Sequence, residues 1–83
     1  MAKRNERGKR WAARSVLLPG LRAQRQRRGF TQRELAELAG TTQGTVWQLE
    51  ALQRGAYPRT VKRLCKALDI TPEDLISGGN AEG

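Results

Sequence analysis

The side chains best equipped for chemistry in this chain are cations. Sixteen Lys and Arg stand against eight Asp and Glu in 83 residues, with no His and a single Cys. Lys3, Arg4, Arg7, Lys9, Arg10 and Arg14 crowd the start of the chain, and such an arm can follow phosphates or enter a minor groove. The charge is one-sided. Residues 1–28 hold ten Lys and Arg and one Glu, net +9, while residues 29–83 hold six against seven, net −1. A basic block beside a near-neutral body suits a polyanion, either nucleic acid or an anionic membrane surface. A solvated, solubilising terminus is the plainer reading of the same run. Membrane binding needs a basic helix with a continuous apolar face, and Trp11, Val16, Leu17 and Leu18 supply only a fragment of one.

The missing residue types exclude whole classes of activity. Without His, no Ser-His-Asp or Cys-His nucleophile can be assembled, and the usual general base near neutral pH is lost. One Cys without His can build neither a disulfide within one chain nor a zinc site. An enzyme is not expected, and neither is a metal or other cofactor. The apolar runs fall well short of the roughly 20 residues that span a bilayer, and no apolar core follows the basic start as in a secretory signal. A cytoplasmic location, on the nucleoid if the polyanion is DNA, is the expectation.

The elements that must position these groups are helices. Residues 1–15 read as a flexible basic arm, 16–76 as one globular domain and 77–83 as a disordered tail. Pro19 fits a first helical turn and Gly29 a left-handed cap, which predicts helix 1 over about residues 19–28. Thr31 and Glu34 form a capping box for helix 2, with Leu35, Ala36, Leu38 and Ala39 as its apolar stripe and Gly40 as its end. Thr42 caps helix 3, where Val46 and Leu49 face inward and Gly55 is a plausible stop, so the helix is predicted over about residues 43–54. Helix 4 begins near Pro58 and buries Val61, Leu64, Cys65 and Leu68, with the Cys acting as a small hydrophobe. Thr71, Pro72, Glu73 and Asp74 start a fifth helix, in which Leu75 and Ile76 close the core. With no alternating strand pattern, the fold class is all-α: a compact bundle of about five short helices. Helices 2 and 3, joined through Gly40, make a helix-turn-helix that leaves the polar N-terminal face of helix 3 outward, shaped for a major groove.

The array LRAQR…GFTQRELAELAGTTQ, TVWQLE and KRLCKALDITPEDLI resembles the lambdoid phage repressor and Cro family, the xenobiotic-response-element type of helix-turn-helix. The resemblance runs from about Leu21 to Ile76 and implies a lambda-repressor-like fold. It implies that Gln32 contacts a phosphate from the start of helix 2, and that Thr42, Gln43, Gly44, Trp47 and Gln48 occupy the base-facing positions. A Gln amide supports such a role at position 43, since it can donate to and accept from one adenine edge. Arg59 matches a phosphate-contacting position, with Arg22 and Arg54 as weaker candidates. Arg25 and Glu50 match an ion pair that orients helix 3 without touching DNA.

Three features depart from the family. Gly44 and Trp47 replace polar residues; a missing side chain one turn before the indole could make room for it against thymine methyls or sugars, or Trp47 could bind protein instead. The connection ALQRGAYP lacks the Asn-Gly turn usual after the Glu, which predicts a longer helix 3. Around helix 5 the chain offers Pro72, Glu73 and Asp74 where the phage proteins dimerise through apolar groups. The reading is a sequence-specific regulator of transcription on double-stranded DNA, a repressor, acting on an inverted-repeat operator if it forms a homodimer. One alternative is an antitoxin that binds a toxin or other partner protein and represses its own operon. Another is an RNA- or ribosome-associated adaptor that works through the arm.

Overall fold

Each turn of the chain places a helix where its caps demand one. The computed structural model describes residues 14–77. Within them lie α1 (Leu21–Arg27), α2 (Gln32–Ala39), α3 (Gln43–Glu50), α4 (Pro58–Leu68) and α5 (Pro72–Ile76). The expected arm and tail, apart from Arg14, Ser15 and Ser77, lie outside the described residues. The all-α expectation holds: among the described residues there is no strand, only an isolated antiparallel bridge between Val16 and Ala56. Its two backbone hydrogen bonds measure 2.9 and 2.8 Å.

The helix starts follow local chemistry. The capping box of α2 forms as read, with Thr31 Oγ1 accepting from the Glu34 N–H at 3.0 Å and Glu34 Oε1 accepting from the Thr31 N–H at 2.8 Å. At α5 the Thr71 N–H donates to Asp74 Oδ2 at 3.1 Å, and α4 opens on Pro58. The start of α1 needs correction. Pro19 and Gly20 form a turn instead of helix, because the Gly20 N–H is drawn to the Leu75 carbonyl at 2.7 Å and pins the entry of α1 to α5.

Four helices end in the same device. A residue just past the helix returns its N–H to a carbonyl five positions back: Phe30 to Arg25, Thr41 to Ala36, Gln53 to Gln48 and Ile70 to Cys65. Each closure requires a left-handed residue just before the returning one. Gly29 and Gly40 supply it at φ +75° and +71°, but after α3 and α4 it comes from Leu52 and Asp69 at φ +59° and +58°. Helix 3 therefore stops at Glu50, not near residue 54. Gly55 is no helix stop either: a Cβ there would lie 2.9 Å from the Val16 carbonyl carbon and oxygen. It is the close approach of two backbones at the Val16–Ala56 bridge that demands glycine.

The core gathers one face of every helix: Leu21, Leu35, Val46, Leu49, Leu64, Leu68 and Leu75 are all within 1% of complete burial, with Leu18 beneath them. Two predicted core residues are corrected. Leu38 is 58% exposed, because Leu35, Ala36 and Ala39 already occupy the inward stripe of α2, and Ile76 is 45% exposed beside a fully buried Leu75.

Candidate nucleic-acid interface

The α2–turn–α3 unit is fixed at both ends of α3. At its start, Thr42 Oγ1 accepts from the Thr45 N–H at 3.1 Å while its hydroxyl donates to Thr45 Oγ1 at 3.0 Å. The donor of that hydroxyl is thus committed, leaving one acceptor lone pair for any ligand. Val46 and Leu49 hold α3 on Leu35 and Ala36 through the buried core. Thr42, Gln43, Gly44 and Trp47 stay exposed, and Gln48 is half-buried. A Cβ on Gly44 would meet only Thr42 Oγ1, at 4.0 Å. Packing does not require this glycine; its effect is to keep the outer face of α3 bare one turn before Trp47.

At the other end of α3, Glu50 is the anchor. Its carboxylate accepts from Arg25 Nε at 2.5 Å and Nη2 at 3.2 Å, and from Gln32 Nε2 at 3.1 Å. Arg25 Nη1 donates onward to the Phe30 carbonyl at 2.7 Å. The Arg25 and Glu50 side chains are only 12% and 4% exposed, so α1, the entry to α2 and the last turn of α3 share one buried polar knot. A paired Arg fork of this kind fixes direction as well as distance. Gln32 spends one of its two amide hydrogens here and keeps the other, together with the N-terminal end of α2, available to an anion.

Over this knot lies a cleft of about 150 Å³ lined by Arg22, Arg25, Gln32, Trp47, Glu50 and Ala51. It brings three of the predicted contact residues, Arg22, Gln32 and Trp47, into one place. Arg54 does not join them; its Nη1 donates to Gln48 Oε1 at 3.3 Å.

The family model described as helix-turn-helix domain matches residues 20–76 of this chain. The chain belongs to that family. Comparison with curated proteins found no match. The match spans all five helices and every residue of the buried knot, and a helix-turn-helix domain makes DNA the partner to consider first.

The remaining predicted residues of the domain fall elsewhere. Arg59, on the first turn of α4, shares a different groove with Arg14. Lys3, Arg4, Arg7, Lys9 and Arg10 lie outside the described residues. No helix among the described residues is long and apolar enough to cross a membrane. Cys65 is buried as read, and burial, with a smaller contribution from the Asp74 carboxylate, pushes its thiol above the ordinary value. What the sequence did not reveal is the second use of Gln32 as a ligand of Glu50. Nothing in the spacing of Gln32 and Glu50 signals that contact; it follows only from how α2 and α3 are set against each other.

Proposed function

We propose that this helix-turn-helix domain is a sequence-specific regulator of transcription on double-stranded DNA, a repressor that occludes a promoter. In this reading α3 enters the major groove, and Gln43 pairs with an adenine edge, a contact worth roughly 1–3 kcal/mol of discrimination. Thr42, Gly44, Trp47 and Gln48 shape the fit around it. Arg22 and Gln32 seat a phosphate in the cleft beside Trp47, Arg54 and Arg59 serve flanking phosphates, and the basic arm adds salt-sensitive affinity. The observation that carries the reading is the buried Arg25–Glu50–Gln32 knot. It spends charged groups on orienting α3 while Gln43 and Trp47 stay exposed on that helix.

Selection from a random duplex pool at about 150 mM salt, where phosphate-only binding is largely suppressed, tests this. The expected result is a sharp motif that loses preference at one position in Gln43→Ala. If two subunits bind, the motif is an inverted repeat with half-sites about 10 bp apart or a multiple of that. Absence of enrichment with either protein overturns the reading, and RNA or protein-partner capture would then distinguish the adaptor from the antitoxin.

A further inference from the structure

The body carries a second concavity whose chemistry differs from the polar cleft. An open groove of about 940 Å³ lies between the segment entering α1, the first turns of α4, and α5. Val16, Tyr57, Val61, Pro72 and Ile76 give it apolar walls, and Arg14, Arg59 and Lys62 also line it. Tyr57 and Ile76 are 50% and 45% exposed there, so large apolar side chains stand unpartnered among cations.

We propose that Trp11 fills this groove and anchors the basic arm to the body. Arg14 already lines the groove, and Trp11 precedes it by three residues, a reach of about 10 Å of extended chain. Among residues 1–13, only Met1 and Trp11 carry large apolar side chains, and Ala12 and Ala13 between Trp11 and Arg14 add no bulk. An indole matches the site chemically: its body suits apolar walls, and its π face suits Arg and Lys at the edge. Gly78, Gly79, Asn80, Ala81, Glu82 and Gly83, which follow α5, contain no large apolar group. The near end of the connection is held by the Val16–Ala56 bridge, so docking Trp11 restrains only a short tether. Its consequence rests on the DNA reading: docking would tie the basic arm to the face that already carries Arg14 and Arg59.

The test needs no DNA, so failure of the operator reading leaves it intact. Trp47→Phe makes Trp11 the sole indole. Emission and acrylamide quenching of that protein are then compared with Ile76→Asp and, separately, Tyr57→Ala in the same background, with helical circular dichroism as the folding control. The expected result is a blue-shifted emission and a several-fold lower quenching constant than in denaturant, both lost in either groove variant. Solvent-like emission, unchanged by the groove variants, overturns the proposal. A blue shift that vanishes on dilution assigns the groove to a second copy of the chain and also overturns it. So does a shift that arises only after duplex DNA is added, which would make Trp11 a DNA contact.

Discussion

If the buried knot orients α3, removing one partner must be far worse than removing two. Glu50→Met leaves the Arg25 guanidinium, 12% exposed, without its bidentate acceptor and the Gln32 amide without its own. Arg25→Met leaves a carboxylate that is 4% exposed with only the neutral Gln32 donor. Stranding one charge of a buried pair costs about 3–5 kcal/mol, whereas replacing both by apolar side chains of similar volume is often neutral or better. At roughly 0.05–0.15 kcal/mol per residue, a body of this size holds only about 3–10 kcal/mol in all. Each single variant is therefore expected to lose most of its stability, and the double variant to recover to within about 1–2 kcal/mol of the parent. Urea unfolding followed by circular dichroism, run as a double-mutant cycle, reads the coupling directly. Single losses below about 1 kcal/mol that simply add in the double variant would be the surface-pair result, and would refute the claim that this knot sets α3. The folded double variant carries the functional half of the argument: it should keep salt-sensitive DNA affinity but show a blurred selection motif.

Leu52→Gly relieves a left-handed residue that costs an L side chain about 1–2 kcal/mol, against the added unfolded-state freedom of glycine. A net gain of about 0.5–1 kcal/mol, or a few degrees in Tm, is expected by thermal denaturation, and a loss would contradict the strain. Gly55→Ala places a Cβ 2.9 Å from the Val16 carbonyl; a cost of about 1–3 kcal/mol and faster amide exchange at Ala56 should follow, and a neutral effect would mean the bridge gives way freely. The Cys65 thiol, raised by burial above its ordinary 9.0, should react with a disulfide reagent only after unfolding. Because the unfolded chain loses that proton first, stability should fall as pH climbs past the ordinary value toward the raised one; Cys65→Ala should flatten the slope relative to the parent, and equal slopes would count against it.

The parts of the fold visible in the sequence are those decided within a few residues. Thr31 and Glu34 cap α2 because each reaches the other's backbone without help from the rest of the chain. Gly29 and Gly40 announce their helix ends for the same reason. Leu52 announced nothing. Local preference argues against leucine in a left-handed conformation, and only the demands of the whole fold place it there. Gly55 misled in the opposite way, since its absent side chain serves the approach of Val16 and not a helix end. The Arg25–Glu50 pair was visible only through family resemblance, and Gln32 as their third partner was not visible at all. Contacts across 25 and 18 positions of sequence have no local signature. Leu38 and Ile76 show the same limit, as helical spacing names candidates for burial but not how wide a stripe the neighbouring helices can cover.

The one strained leucine bears on function through what its turn permits. Leu52 closes α3 immediately after Glu50 and sends the chain back so that Gln53 reaches the Gln48 carbonyl at 3.0 Å. Arg54 then meets the Gln48 side chain at 3.3 Å, and Ala56 pairs with Val16. A helix continued to residue 54 would use those same residues in helical turns and could not make either tie. Asp69 adopts the same conformation at far lower cost, since Asp tolerates it locally and Arg28 Nη2 reaches its carbonyl at 3.3 Å. Backbone strain that survives in a fold marks a position over-determined by its surroundings. Here it sits one turn beyond the proposed reading residues, at the C-terminal end of α3, where Leu52 takes the left-handed place that Gly29 and Gly40 fill after α1 and α2. The short α3 is thus held by Thr42 at its start, by the Glu50 knot at its last turn and by the Leu52 closure behind that. Such fixation from both ends holds the backbone that carries Gln43 and Trp47, as the proposed reading of base edges would require.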